Sequence, residues 1–163
     1  MEGERVARSL KPGDVAPDFH LQASDGRWVQ GTELWARGPT VIFFYPRDET
    51  PGCTVEACTF QRDLGLFDDL GAQVVGVSSD SIESHRSFAA NHELTYLLLS
   101  DPLGELRRAF GVSKTLGLLP GRTTYVVDGQ GVVRHAYTSQ LNVTGHVRRA
   151  LDALKELVTE TGT

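Results

Sequence analysis

The run Val41-Ile42-Phe43-Phe44-Tyr45 leaves no polar face. Five β-branched or aromatic residues in succession read as a central strand, opening at Thr40 and buried on both sides. Helical spacing follows it. Phe60, Leu64 and Phe67 fall at i, i+4 and i+7 within residues 51–70, and Gly71 supplies a stop. A second buried strand is expected over residues 73–79. Asp80-Ser81-Ile82-Glu83 has capping-box spacing, with Asp80 as N-cap of a helix reaching about Asn91. Residues 96–99 read as a third strand and residues 102–110 as a short helix ending at Gly111. This alternation implies parallel strands covered by helices.

Hairpins bracket that middle. Phe19-His20-Leu21 and Arg27-Trp28-Val29 flank the turn signal Ser24-Asp25-Gly26. Strands over 122–127 and 132–136 are joined by Asp128-Gly129-Gln130-Gly131. A last helix over about 143–159 places Val147, Leu151, Leu154 and Val158 on one face. The expected fold is α/β: a three-layer α/β/α sandwich with a mixed central sheet and an N-terminal β-hairpin extension. Among known architectures it resembles the thioredoxin-type fold.

The chain has 163 residues, one domain's worth, and residues 1–10 read as a lead-in. A chain of this length buries about 70% of its unfolded surface and needs neither disulfide nor metal to fold. Sixteen basic and twenty-one acidic residues give a net charge of -5. Basic residues form no cluster, which argues against nucleic acid and anionic membranes as partners. Apolar runs stay well below the ~18 residues of a membrane span. The opening MEGERVARSLKPGD has no apolar h-region, so a cytosolic location is the expectation. There, a nearby cysteine pair is catalytic or metal-binding more often than structural.

Cys53 and Cys58 are the two cysteines. With Thr50 as N-cap and Pro51 at N1, Gly52 is N2 and Cys53 is N3. The Cys53 sulfur is then expected in the first helical turn, among unpaired amides at the positive end of the dipole. That placement favours the thiolate. A thiol with pKa ~8.5 is about 3% ionised at pH 7 and one at ~6 about 90%, a gain worth about 2 kcal/mol. Thr50 is placed to accept from the Cys53 amide or to donate to the sulfur. Gly52 removes bulk beside the thiol, and Pro46 walls one side. Arg122 is the candidate cation, although spacing alone does not bring it to Cys53.

Cys58 lies five positions on. On an ideal helix the two Cα atoms are about 8–9 Å apart, beyond the ~7 Å limit for a disulfide. Bonding would require the first turns to unwind. Other readings stay open from the residues alone. Either cysteine can be a buried packing residue. His20, His85, His92, His135 and His146 show no ligand spacing, so no metal site is expected. His85 and His146 read as solvated surface residues. Cys-x-x-Cys, phosphate loops and Gly-x-Ser-x-Gly are absent.

Pro46, Thr50 and Cys53 match the Pro-x-x-x-Thr-x-x-Cys signature of the peroxiredoxins, and Cys58 matches the resolving position of the bacterioferritin comigratory protein / peroxiredoxin Q subfamily. FYPRDETPGCT, VVGVSSDSIESH, LLLSDP and LLPGRTTYVVDGQGVV are similar to the same subfamily. The stretch between Gly111 and Arg122 has the shorter form of peroxiredoxin Q. The resemblance implies a thioredoxin-like fold and a thiol peroxidase acting on hydrogen peroxide and organic hydroperoxides. Cys53 would be the peroxidatic thiolate. Thr50, Arg122 and the Cys53 amide would hold and polarise the peroxide beside Gly52. Cys58 would resolve the sulfenic acid as an intramolecular disulfide. Thioredoxin or a similar dithiol would recycle it, with no cofactor, and a monomer is expected. Two other classes compete: a redox-sensing interaction module switched by the same disulfide, and a structural domain with inert thiols.

Overall fold

The computed structural model describes residues 9–112, 114–115, 119–120 and 122–160. The expected lead-in falls largely outside the described residues, as do positions 113, 116–118 and 121 of the stretch before Arg122.

The strands are β1 (His20–Ala23), β2 (Trp28–Gln30), β3 (Thr40–Phe44), β4 (Gln73–Ser78), β5 (Leu97–Ser100), β6 (Lys114–Thr115), β7 (Leu119–Pro120), β8 (Thr123–Val127) and β9 (Val133–Thr138). Seven form one sheet in the order β2-β1-β5-β4-β3-β8-β9, and β6 and β7 form a separate ribbon. β3, β4 and β5 are parallel neighbours, while β8 runs antiparallel to β3 and β1 antiparallel to β5. The mixed sheet and both hairpins therefore match the sequence reading.

Helices cover both faces. They are α1 (Gly31–Arg37), α2 (Pro51–Arg62), α3 (Leu64–Asp69), α4 (Ile82–Asn91), α5 (Glu105–Phe110) and α6 (Val143–Glu160). Every side chain of β3 is buried, and they sort by the two-residue period of a strand. Val41, Phe43 and Tyr45 enter one core with Phe60 and Ala57 of α2, Phe67 of α3, Phe88 of α4 and Leu154 of α6. Ile42 and Phe44 enter the other, with Leu34 and Trp35 of α1 and Leu106 and Phe110 of α5. These are the two interfaces of an α/β/α sandwich.

The structure corrects four local readings. The helix expected over 51–70 is two helices, because the chain turns at Asp63, whose carbonyl accepts from the Leu66 amide at 2.9 Å. The break lets Phe60 and Phe67 share one core with ring centroids 5.7 Å apart. Ser81, not Asp80, caps α4 by accepting from the Ser84 amide. Asp80 instead accepts from the Asp48 amide at 2.8 Å and from the Ser78 hydroxyl. α1 was not expected. His85 and His146 are both fully buried rather than solvated.

Candidate active site

β3 ends in the middle of the sheet, and the loop after it delivers the chain into the N-terminus of α2. The crevice beyond the carboxyl ends of parallel strands is where α/β sheets place ligands. Thr50 is the N-cap in extended conformation, and Pro51 occupies the first turn. The Gly52 and Cys53 amides precede the first helical bond, Thr54 N–H to the Thr50 carbonyl at 2.8 Å. Cys53 is thus at N3, as its spacing predicts, and is 1% exposed.

The Thr50 side chain departs from expectation. Its hydroxyl makes no cap bond and donates to the Arg47 carbonyl at 2.9 Å, tying the loop to itself. Pro46 is half-buried at the start of that loop. Asp48 anchors the loop to the core. Its carboxylate accepts from the Tyr45 hydroxyl at 2.6 Å and the Ser84 hydroxyl at 2.8 Å, and lies 2.7 Å from His85 Nδ1. His85 Nε2 donates to the Leu99 carbonyl at 3.0 Å. Burial, then the Asp48 charge, pushes the Tyr45 phenol well above its ordinary value, so this hydroxyl stays a donor.

Arg122 comes from the residue before β8, which lies beside β3. Its Nη2 donates to Cys53 Sγ at 3.5 Å and its Nη1 to Glu56 Oε1 at 2.6 Å. One planar guanidinium therefore spans the thiol and a carboxyl one helical turn further on. Gly52 suits this packing: a Cβ there would stand 3.2 Å from Arg122 Nη2, so the guanidinium would have to shift by a few tenths of an ångström. Cys53 Sγ thus accepts from a buried guanidinium in the first turn of α2, beside the unpaired amides at the positive end of the helix dipole.

Sequence reasoning missed Glu56 and His146. Glu56 is fully buried, and burial, opposed by Arg122, pushes its carboxyl up to about 8. His146, in the first turn of α6, lies between the Thr124 hydroxyl at 2.7 Å and the Ser139 carbonyl at 2.8 Å. A signal was available for it. His146, Ala150, Leu154 and Leu157 form one buried stripe, and a histidine heading such a stripe faces inward.

Cys58 sits on the same unbroken helix, half-buried, and both thiols are free. Burial, then the Glu49 carboxylate, raises the Cys58 thiol above its ordinary value. Glu49 has a left-handed backbone, φ 64°, held by Asn91 Nδ2 and His92 Nε2 on its carboxylate, each at 2.9 Å. Among the described residues, one trio could hold a metal: Asp48, Asp80 and His85 bring ligand atoms within 4.8 Å of one another. The hydrogen bonds of Tyr45, Ser84, Ser78 and the Asp48 amide already occupy those carboxylates. Among the described residues no helix is long and apolar enough to cross a membrane.

Comparison with known proteins agrees with this geometry. The model of the AhpC/TSA family matches residues 12–136. Peroxiredoxin Q, chloroplastic, of Oryza sativa subsp. japonica is 41% identical over 153 residues, 93% of this chain and 70% of the relative. Peroxidoxin BcpB from Mycobacterium tuberculosis superposes with TM-score 0.85 at 36% identity, covering 91% of this chain and 98% of the other. The bacterioferritin comigratory protein of Xanthomonas campestris, described for its alkyl peroxide reduction activity, gives 0.80 at 35% identity over 92% and 98%. A buried helix-start thiol under an arginine, on this sheet and among these relatives, has one reading: the chain belongs to the AhpC/TSA family and is a thiol peroxidase of the peroxiredoxin Q type.

Proposed function

We propose that this peroxiredoxin reduces hydrogen peroxide and alkyl hydroperoxides through Cys53 and resolves the product with Cys58. The observation that carries the reading is the Arg122 Nη2–Cys53 Sγ contact of 3.5 Å in the first turn of a helix that also bears Cys58. The Cys53 thiolate attacks the distal peroxide oxygen, the O–O bond breaks, and the departing alkoxide or hydroxide takes a proton. Cys53 becomes a sulfenic acid. Arg122 and the first-turn amides oppose the charge that passes from sulfur to oxygen. Pro46 and Gly52 shape the approach, and Thr50 orders the loop and faces the substrate.

Resolution joins Cys58 to the sulfenic sulfur and releases water. The continuous helix keeps the two Cα atoms about 8–9 Å apart, so the first turns of α2 unwind before the disulfide forms. Unwinding also frees Cys58 from its burial and from Glu49, the two influences that keep it protonated. A dithiol of the thioredoxin kind then takes over the disulfide and restores both thiols. The alkyl peroxide activity described for the Xanthomonas relative supports the substrate class.

The test is steady-state consumption of hydrogen peroxide and an alkyl hydroperoxide with thioredoxin, thioredoxin reductase and NADPH. Wild type is expected to turn over and Cys53→Ser to lose activity entirely. A Cys53→Ser protein that consumed peroxide at the parental rate would overturn the assignment. Reaction once but not repeatedly would favour a redox-sensing module over an enzyme.

A further inference from the structure

The carboxyl of Glu56 has two unlike oxygens. Oε1 accepts from Arg122 Nη1 at 2.6 Å, whereas Oε2 is buried with no hydrogen-bond partner among the described residues. His146 Nδ1 lies 3.7 Å from Oε2, and both side chains are completely buried.

The hydrogen bonds of His146 fix its tautomer. The Ser139 carbonyl cannot donate, so His146 Nε2 carries the hydrogen that reaches it at 2.8 Å. Nδ1 is then an acceptor, and the Thr124 hydroxyl at 2.7 Å donates to it. The imidazole therefore turns no N–H toward Glu56. A carboxylate in this place would keep one charged oxygen unpaired in the core, a costly arrangement. A neutral carboxyl, with its proton on Oε2, avoids that.

We infer that His146 is a positioning residue for the peroxidatic cysteine: by presenting Nδ1 as an acceptor, it keeps Glu56 neutral, which leaves the Arg122 charge directed at Cys53. Were Glu56 ionised, the guanidinium would be shared between two anions, and less of its charge would act on the reacting sulfur. The surrounding charges agree with this assignment. Facing Glu56 are Cys53 on its own helix, Arg122 ahead of β8, His146 on α6 and the Tyr96 phenol ahead of β5. Burial pushes Tyr96 well above its ordinary value, so it adds no charge. Burial pushes Glu56 up to about 8 and His146 down to about 4, so each is uncharged near neutrality. Arg149 lies outward, over the Tyr137 ring at 4.7 Å.

This role rests on Cys53 as the reacting sulfur, but its test needs no peroxide and so can fail or succeed independently of the peroxidase reading. The readout is the rate of iodoacetamide reaction with Cys53 between pH 5 and 8, in a Cys58→Ala background. His146→Asn places an amide where Nδ1 sits and offers Glu56 an N–H. Alkylation at pH 6 is expected to slow about tenfold, the equivalent of one unit of displacement along the pH axis. With Glu56 already changed to Gln, the same His146→Asn step is expected to change the rate less than twofold. A purely structural histidine would slow both backgrounds equally, and that result overturns the proposal, as does an unchanged rate in the Glu56-containing protein. If His146→Asn fails to fold, infrared spectroscopy of the reduced parent decides. A protonated-carboxyl band at pH 6.5 that disappears in Glu56→Gln supports the proposal, and absence of that band overturns it.

Discussion

At the residue scale the site is a single cation divided between two sulfur- and oxygen-bearing partners. Arg122 Nη2 reaches Cys53 Sγ while Nη1 reaches Glu56 Oε1. A lysine keeps the charge but not the fork, so Arg122→Lys is not a conservative change here. A charge-assisted hydrogen bond is worth about 1.5–3 kcal/mol, so kcat/KM for peroxide should fall about 10- to 100-fold. Stopped-flow peroxide kinetics check this, and a loss under threefold would remove Arg122 from the chemistry. Legibility at this scale followed residue chemistry. Cys53, Gly52 and Arg122 announce themselves because few roles suit a cysteine after Thr-Pro-Gly or an arginine opening a buried strand. Glu56 did not, because a lone glutamate on a helix is usually solvated, and its burial depends on Arg122, 66 positions away.

At the element scale the sheet was readable because β3 and β4 are near-continuous runs of β-forming residues buried on both faces, whereas the boundaries of helices depended on contacts between elements. Asp63 breaks the long helix without a proline or a helix-stopping glycine, and α1 is too short to show a period. Gly76 is an example of such a contact. It pairs with Phe43 across β3 and β4, and a Cβ there would lie 2.8 Å from Phe43 Cζ and 3.0 Å from Leu98 Cδ2. Phe43 in turn stacks on Phe60 of α2 at 4.4 Å. Gly76→Ala should therefore destabilise the fold by about 1–3 kcal/mol through overpacking, measured by urea denaturation. α2 itself carries the conformational prediction. Far-UV circular dichroism should lose about two helical turns when wild type is oxidised, and none when Cys58→Ala is. Helix content unchanged in the disulfide form would show that the first turns do not unwind.

For the whole molecule, two buried groups with opposite shifts shape the pH dependence. Folding raises the Glu56 carboxyl from 4.5 to about 8 and lowers His146 from 6.5 to about 4. Between 4.5 and 6.5 the folded chain holds a proton on Glu56 and the unfolded chain one on His146, so the two slopes cancel. Above 6.5 only the folded chain keeps the extra proton, and stability falls as pH rises through about 8. One and a half pH units correspond to about 2 kcal/mol. Between pH 6 and 8.5 in urea denaturation wild type should lose about that much, whereas Glu56→Gln, left with the His146 shift alone, should lose none. Equal losses would contradict the neutral carboxyl. The fold tolerates such groups because two separate cores stabilise it without any cross-link. The proposed Cys53–Cys58 disulfide could therefore form and break without loss of the fold. The most direct measurement is an intact mass spectrum after one equivalent of hydrogen peroxide. Wild type should lose two hydrogens, as Cys53 and Cys58 join, and Cys58→Ala should gain one oxygen. A wild-type chain that gained oxygen and kept both thiols apart would contradict the two-cysteine cycle.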